Sequence, residues 1–201
     1  MQYESDESVI DIDILVGFDI YDFLGQYPGQ RSCHDISLFI SAQDHPVRFA
    51  NQISPCLAEM QCDFIREHIN LNQERDKIKN LILFVKFWFK TEVKSEFHRA
   101  RFPSYLIELL CLHVWETHLV NTKFDVWAWF HEVLSMIERK EELNVIWTEK
   151  YSLDQVPEVV SEQRPLLVDP ANPFNNVAGG VAQWPEVSAC ARIYKRKLKE
   201  S

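Results

Sequence analysis

The sequence lacks a run of roughly 18 uninterrupted apolar residues, which is the length that a membrane-spanning helix needs. Its N-terminal stretch is acidic and does not show the basic-then-apolar pattern of a signal peptide. It also contains no internal repeat and no low-complexity tract. We therefore expect a globular chain without a membrane partner.

The cysteines lack the pairing pattern of a disulfide framework. The chain has five cysteines, and none of them forms a Cys-x-x-Cys pair. The odd number argues against a disulfide framework and favours a reducing cytosolic or nuclear setting. The seven histidines show no ligand spacing either, since His113 and His118 lie five residues apart and do not share a helical face. We expect no zinc site built from a compact His/Cys cluster.

Charge is unevenly distributed along the chain. The net charge of −9 argues against indiscriminate nucleic-acid binding. Residues 1–22 carry seven acids and no Lys or Arg, whereas residues 66–101 carry nine bases against five acids, a local charge of +4. The central segment is basic enough to contact phosphates, although a solvated helix with mixed charges has the same composition.

The stretch "VIDIDILVGFD" at 9–19 alternates apolar and acidic residues, as a half-buried β-strand does. Asp11 and Asp13 would then share one face, where like charges repel each other. Either that face is solvated, or it faces something positive.

Helical patterns dominate the rest of the chain. Predicted helices cover residues 54–69, 74–92, 104–119, 125–140 and 185–198. The run from Leu81 to Phe89 is apolar on nearly every side, which is typical of a buried central helix. Residues 164–180 contain three prolines and a Gly-Gly pair, which predicts irregular structure, and no second convincing strand is evident. We expect an α+β protein that is mostly helical. Because a lone strand needs partners, the chain resembles the second half of a larger unit.

Three groups of motifs resemble the C-terminal half of the 2'-5'-oligoadenylate synthetases. In that family a strand reads Asp-Val-Leu-Pro-Ala-Phe-Asp, a helix carries Val-Lys-x-Trp, the next helix begins near Pro-Gln-Tyr, and Pro-Ala-Asp-Pro precedes a Gly-rich turn. The corresponding stretches are "DILVGFD" at 13–19, "LILFVKFWFK" at 81–90 with "FPSYLIELLCLHVWE" at 102–116, and "IWTEKYSL" at 146–153 with "RPLLVDPANPFNNVAGG" at 164–180. The resemblance implies that residues 1–46 are the end of a nucleotidyltransferase core with one or a few strands of its catalytic sheet. Residues 47–201 would then form the helical C-terminal domain.

The resemblance also implies a chemistry. Such enzymes are activated by double-stranded RNA, join ATP molecules through 2'-5' bonds and take part in innate antiviral defence. Three carboxylates hold two Mg²⁺ ions that activate the attacking hydroxyl and neutralise the transferred phosphoryl group. Asp13 matches the third of these acids, and is thus implied as a catalytic residue and a metal ligand. Asp11 need not be a ligand.

The first two acids of the family have no counterpart in these 201 residues. They follow a Gly-Ser loop on an earlier strand, and "MQYESDES" contains no such loop. A single carboxylate binds Mg²⁺ poorly. We therefore expect that this chain alone does not catalyse and would need an N-terminal lobe as a partner.

Three further residues match the family's substrate site. Lys86 interrupts an apolar helix and matches a lysine that contacts substrate phosphates; from the sequence alone it would be read as a lysine that extends its ammonium group to the surface. Tyr105 matches a tyrosine that lies against a nucleotide base. Ser104 replaces the neighbouring glutamine, and hydrogen bonding at a helix start is its other possible role.

The resemblance places Arg66, Lys77 and Lys79 on or near the double-stranded RNA surface. A basic stripe suits A-form RNA, which is read through phosphates and 2'-hydroxyls. Two features depart from the family: Cys62 stands where the family has an arginine, and "HINLNQERD" at 68–76 lengthens the connection to the next helix.

Two alternatives remain open at the level of sequence. One is a non-catalytic RNA-binding or scaffold protein derived from the family. The other is a relative that makes a different product, such as a cyclic-dinucleotide synthase or a nucleotide-adding RNA polymerase. The tail "KRKLK" at 195–199 suits either a localisation or nucleic-acid patch or a cationic helix end.

Overall fold

The computed structural model describes residues 39–70, 75–98, 100–118 and 125–200. The predicted strand at 9–19, including Asp13, lies outside these ranges. No helix of the described part is both long enough and apolar enough to cross a membrane.

Helices make up most of the described chain, as predicted. A 3₁₀ turn (Ser54–Leu57) joins the first two helices, and one turn of π-helix (Phe89–Val93) joins the third to the fourth. The helices are α1 (Pro46–Ile53), α2 (Ala58–Asn70), α3 (Arg75–Trp88), α4 (Lys94–Glu96), α5 (Ser104–His118), α6 (Val126–Glu138), α7 (Glu158–Ser161) and α8 (Trp184–Glu200).

A small sheet accompanies the helices, so the α+β prediction is confirmed. Strand β2 (Leu166–Asp169) lies in the middle; it pairs in parallel with β1 (Asn144–Val145) and antiparallel with β3 (Asn172–Asn176). The prediction that residues 164–180 are irregular is wrong. All four residues of β2 are buried, so the stretch has no alternation by which a strand is recognised.

Helix boundaries were predicted well where a capping signal marks them. Helix α6 begins after Asp125, whose side chain accepts a hydrogen bond from the backbone N–H of Trp127 at 2.9 Å. The helical segment predicted from Ser54 to about Ile69 is present: it begins as the 3₁₀ turn with Pro55 in its first turn and continues as α2. The sequence reading missed α1, which begins at Pro46 and runs into this segment without a break.

Helix α3 is central to the core but is not buried on all sides. Leu81, Val85 and Trp88 are fully buried among the other helices, as the apolar run predicted. Leu83 and Phe87, in contrast, have exposed fractions of 63% and 62%. The helix is therefore buried on most of its surface, as predicted, and exposed along the one edge that carries these two side chains.

Helix α8 packs along α6 through an ionic contact at the end of α6. The Glu138 carboxylate accepts hydrogen bonds from Lys195 at 2.8 Å and from Arg192 at 3.3 Å. Lys197, from the same basic tail, lies 3.8 Å from a carboxylate oxygen of Glu92. These contacts favour the interpretation of the tail as a cationic helix end.

The turn after β3 is held by the side-chain amide of Asn176. Its Oδ1 accepts hydrogen bonds from the backbone N–H groups of Leu167 and Ala178, and its Nδ2 donates to the Gln163 side chain and the Pro165 carbonyl. Four bonds from one amide fix the path of the chain between the sheet and the Gly-Gly pair.

A methyl group at Gly179 should disturb this arrangement, whereas one at Gly180 should not. A Cβ at Gly179 would lie 2.9 Å from both the Asn176 amide nitrogen and the Gln163 amide oxygen, while nothing lies within 4 Å of a Cβ at Gly180. Both substitutions remove similar backbone freedom from the unfolded chain, so their difference isolates the contact. We expect Gly179→Ala to be less stable than Gly180→Ala by about 1 kcal/mol in chemical denaturation. Equal stabilities would contradict this role of Asn176.

Candidate functional site

A groove with a volume of about 710 Å³ lies between the end of α3, the start of α5 and the turn that precedes α8. Four cationic side chains line it: Lys86, Lys90, Lys94 and Arg101. Within the described part of the chain, no lining residue carries a carboxylate. The groove therefore has a positive potential suited to an anion.

Helical spacing explains why the lysines converge. Lys86, Lys90 and Lys94 are four residues apart, and residues at this spacing lie on the same side of a helix. The π-helical turn lies in the middle of this row and carries Lys90. Glu92, an acid of the same turn, faces α8 instead, where it approaches Lys197.

Lys86 also contacts an acid at the side of the groove. Its ammonium nitrogen lies 2.5 Å from a carboxylate oxygen of Glu108 on α5, and both side chains are partly exposed, at 33% and 24%. The ammonium group is thus held between α3 and α5 and remains accessible to solvent. An incoming phosphate would compete with Glu108 for it.

The first turn of α5 opens onto the same groove. Ser104 is its first residue, is exposed and lines the groove beside Pro103. The backbone N–H groups of a first helical turn have no intrahelical partner, and the positive end of the helix dipole lies there. This end of α5 adds donors for phosphate oxygens to the charge of the lysines.

Tyr105 contacts a buried carboxylate. Its hydroxyl donates a hydrogen bond of 3.0 Å to Asp169, the last residue of β2. Burial and the Asp169 charge raise the pKa of the Tyr105 hydroxyl, so it remains a donor. Tyr105 is not among the described residues that line the groove. Base stacking by its ring remains a prediction.

Asp169 is a hydrogen-bonding centre with no exposed surface. Gln61 donates to it at 2.6 Å, Asn175 at 3.1 Å and the Ala171 backbone N–H at 2.9 Å, in addition to Tyr105. Burial raises the pKa of the Asp169 carboxyl, and these hydrogen bonds oppose the rise. The aspartate of "DPANP" thus ties α2, α5 and both strands of the hairpin together.

The three residues predicted to contact RNA lie on two neighbouring helices. Arg66, on α2, is exposed and pairs with Asp63 at 3.0 Å. Lys77 and Lys79 lie near the start of α3, with Lys77 partly buried and Lys79 exposed.

Sequence reasoning found part of the groove. The structure brings Lys86 and Ser104 together, and Asp13 lies outside the described residues. Lys90, Lys94 and Arg101 were missed, although the four-residue spacing of the lysines was a usable signal. Arg101 could not have been placed, because it lies in a connection whose path depends on tertiary packing.

A comparison with protein families identifies the fold. Residues 35–200 match the model of the C-terminal domain 2 of 2'-5'-oligoadenylate synthetase 1. The chain belongs to the 2'-5'-oligoadenylate synthetase family. The resemblance of its motifs is thereby confirmed, and "DPANP" with its buried Asp169 is part of the matched region.

Individual members of the oligoadenylate synthetase family are similar over most of the chain. Rat 2'-5'-oligoadenylate synthase 1A is 26% identical over 193 residues, which cover 92% of this chain and 51% of the relative. Mouse 2'-5'-oligoadenylate synthase 3 is 31% identical over 96% of this chain and 16% of its own length. The inactive 2'-5'-oligoadenylate synthase 1B of rat is 35% identical over 73% of this chain and 38% of its own length. The chain spans about half the length of these relatives or less.

Proposed function

We propose that the groove binds the polyphosphate of ATP and that this chain is the C-terminal lobe of an enzyme making 2'-5'-linked oligoadenylates. The observation that carries the proposal is the convergence of four cations on the first turn of α5, where none of the described lining residues carries a carboxylate. Two of the groove residues, Lys86 and Ser104, are positions where the family contacts its substrate.

The proposal assigns a separate task to each part of the groove. Lys86 and the α5 N-terminus would hold the phosphate nearest the core, because Lys86 is fixed between two helices. Lys90, Lys94 and Arg101 are exposed and would neutralise the remaining phosphates. Charge-assisted contacts of this kind are the stronger hydrogen bonds in proteins.

Magnesium enters the proposal through Asp13. When bound, Mg²⁺ would lower the pKa of the attacking hydroxyl. Asp169 does not suit this ion, because its two carboxylate oxygens already accept four hydrogen bonds in a buried site. The carboxylates for Mg²⁺ would therefore be Asp13 and acids of the partner lobe.

Binding of ATP to the 201-residue chain tests the phosphate assignment. We expect saturable binding in equilibrium dialysis, with inorganic tripolyphosphate competing at least about tenfold better than adenosine, because the charged oxygens provide the contacts. Adenosine competing as well as tripolyphosphate would place recognition on the base and contradict the proposal. In the presence of Mg²⁺ and double-stranded RNA, we expect this chain to form no oligoadenylate without an N-terminal lobe.

Activation by double-stranded RNA is the second part of the proposal. Lys77 lies in the first turn of α3 and is partly exposed. Arg66 and Lys79 are exposed on the neighbouring helices. We expect RNA affinity to fall steeply with salt, and Lys79→Ala to reduce the logarithmic salt slope by about one. An absent slope would favour a protein scaffold.

A non-catalytic role is the alternative that a specific observation supports. A relative that is 35% identical carries the name of an inactive synthase. Such a protein would keep RNA binding without making product. Product analysis of a longer form that includes the upstream acids separates the two functions.

A further inference from the structure

Three potential metal ligands that are far apart in sequence meet at the end of α2. They are His68 on α2, Glu116 on α5 and Glu149 in the turn that follows β1. One ligand atom from each lies within 4.8 Å of the other two. The cluster is separate from the groove, since none of the three residues lines it.

The imidazole of His68 is oriented by its other nitrogen. Nδ1 lies 2.8 Å from the Phe64 carbonyl oxygen, and an N–H must donate there because the carbonyl can only accept. Nε2 therefore points towards the two carboxylates, at 2.7 Å from Glu116 and 4.0 Å from Glu149. Metal-binding histidines are typically fixed in this manner by a backbone carbonyl.

Within the described ranges, no lysine or arginine pairs with Glu116 or Glu149. Lys150 is engaged elsewhere, with its ammonium nitrogen 3.0 Å from Glu67 and over the Phe64 ring. Burial lowers the pKa of nearby His113, which favours its neutral form. With a neutral His68 the site carries two negative charges, which match a divalent cation.

We propose that His68, Glu116 and Glu149 bind a divalent transition-metal ion, with Zn²⁺ as the best-suited candidate. One imidazole nitrogen and two carboxylate oxygens suit Zn²⁺, whereas Mg²⁺ and Ca²⁺ prefer oxygen ligands alone. Ligands about 2.1 Å from a tetrahedral ion are separated by about 3.4 Å. The observed separations of 2.7 and 4.0 Å lie on either side of that value, so small side-chain movements complete the site.

The ion would act as a cross-link. It would join the end of α2, the end of α5 and the turn at 148–150, where the His68–Glu116 pair and the Lys150–Glu67 pair already connect α2 to its two neighbours. Arg66 precedes His68 by two residues, so the ion would also fix the helix end that carries a predicted RNA contact.

Zinc titration of the chelator-treated 201-residue protein tests the proposal. At about pH 7.5 we expect one Zn²⁺ to bind with an affinity that falls at least about tenfold in His68→Gln and in Glu149→Gln. Zn²⁺ should raise the thermal midpoint of the wild type, and Co²⁺ should give a visible absorption band that both variants lose. Glu149 is an exposed turn residue, so Glu149→Gln should fold normally, which circular dichroism checks.

Glu142→Gln is the matched control. Glu142 is an exposed acid that pairs with Arg139 and does not belong to the cluster, so zinc affinity should change less than about twofold. Zinc affinities of His68→Gln and Glu149→Gln within twofold of the wild type would overturn the proposal. Zinc binding that is lost only when the cysteines are blocked would overturn it equally.

Discussion

Asp169→Ala is expected to lower the free energy of unfolding by about 4 kcal/mol, because four donors lose their acceptor in a buried site. A buried donor without a partner costs about 1 kcal/mol or more, and Asp169 has an exposed fraction of 0%. Single domains are stabilised by only about 5–15 kcal/mol, so this loss should be visible in urea denaturation at room temperature.

Two companion variants show which part of the Asp169 network matters. Tyr105→Phe removes one donor and keeps the carboxylate, so it should cost only about 1 kcal/mol. Asp44→Asn replaces an exposed acid and should have an effect within about 0.5 kcal/mol. If Asp169→Ala costs no more than Tyr105→Phe, the network does not hold the hairpin against α2 and α5.

Lys86→Ala is expected to weaken ATP binding by the 201-residue chain at least about tenfold, since a charge-assisted contact contributes about 1.5–3 kcal/mol. Glu108→Gln should not weaken ATP binding. It removes the internal partner of Lys86, so ATP no longer competes with a carboxylate and affinity should stay equal or rise. Equilibrium dialysis with labelled ATP measures both.

Lys195→Ala is the control for the loss of a lysine–glutamate pair, because Lys195 contacts Glu138 away from the groove. It should leave ATP affinity unchanged within about twofold. Lys86 could instead serve only to extend an ammonium group to the surface and pair with Glu108. In that case Lys86→Ala and Glu108→Gln would change the stability alike, and neither would change ATP binding. That result would contradict the assignment of the groove.

The parts of the fold that could be predicted from the sequence have local signals. Helix α5 follows Pro103, and α6 follows the capping carboxylate of Asp125, so both begin where predicted. The strand β2 could not be recognised, because a short, fully buried strand between two prolines shows no periodicity. The strand forms because it pairs with its neighbours: β1 lies about 20 residues earlier in the chain, and β3 follows directly across the hairpin turn.

The candidate sites show the same division. Lys86 and Ser104 were identified by matching family motifs, and the structure brings them to one groove. The cluster of His68 and two glutamates could not be foreseen from the sequence. Residue spacing along the chain can reveal ligands that share one helix or strand, but these three residues lie on two different helices and a turn. A tertiary contact of this kind becomes visible only when the helices are packed.

The π-helical turn at Phe89–Val93 makes the groove sensitive to chain length as well as to side-chain identity. A π-helical turn holds about one residue more than an α-helical turn, so deleting one residue within it converts the turn to α-helix and keeps the helix on either side, with Lys86 and Lys94, in register. Lys90 lies inside the turn, so the same deletion changes the direction of its side chain even when all four cations are still encoded. Among relatives, a gap at this point of an alignment would thus be a sign of altered ligand binding even where every lysine is kept.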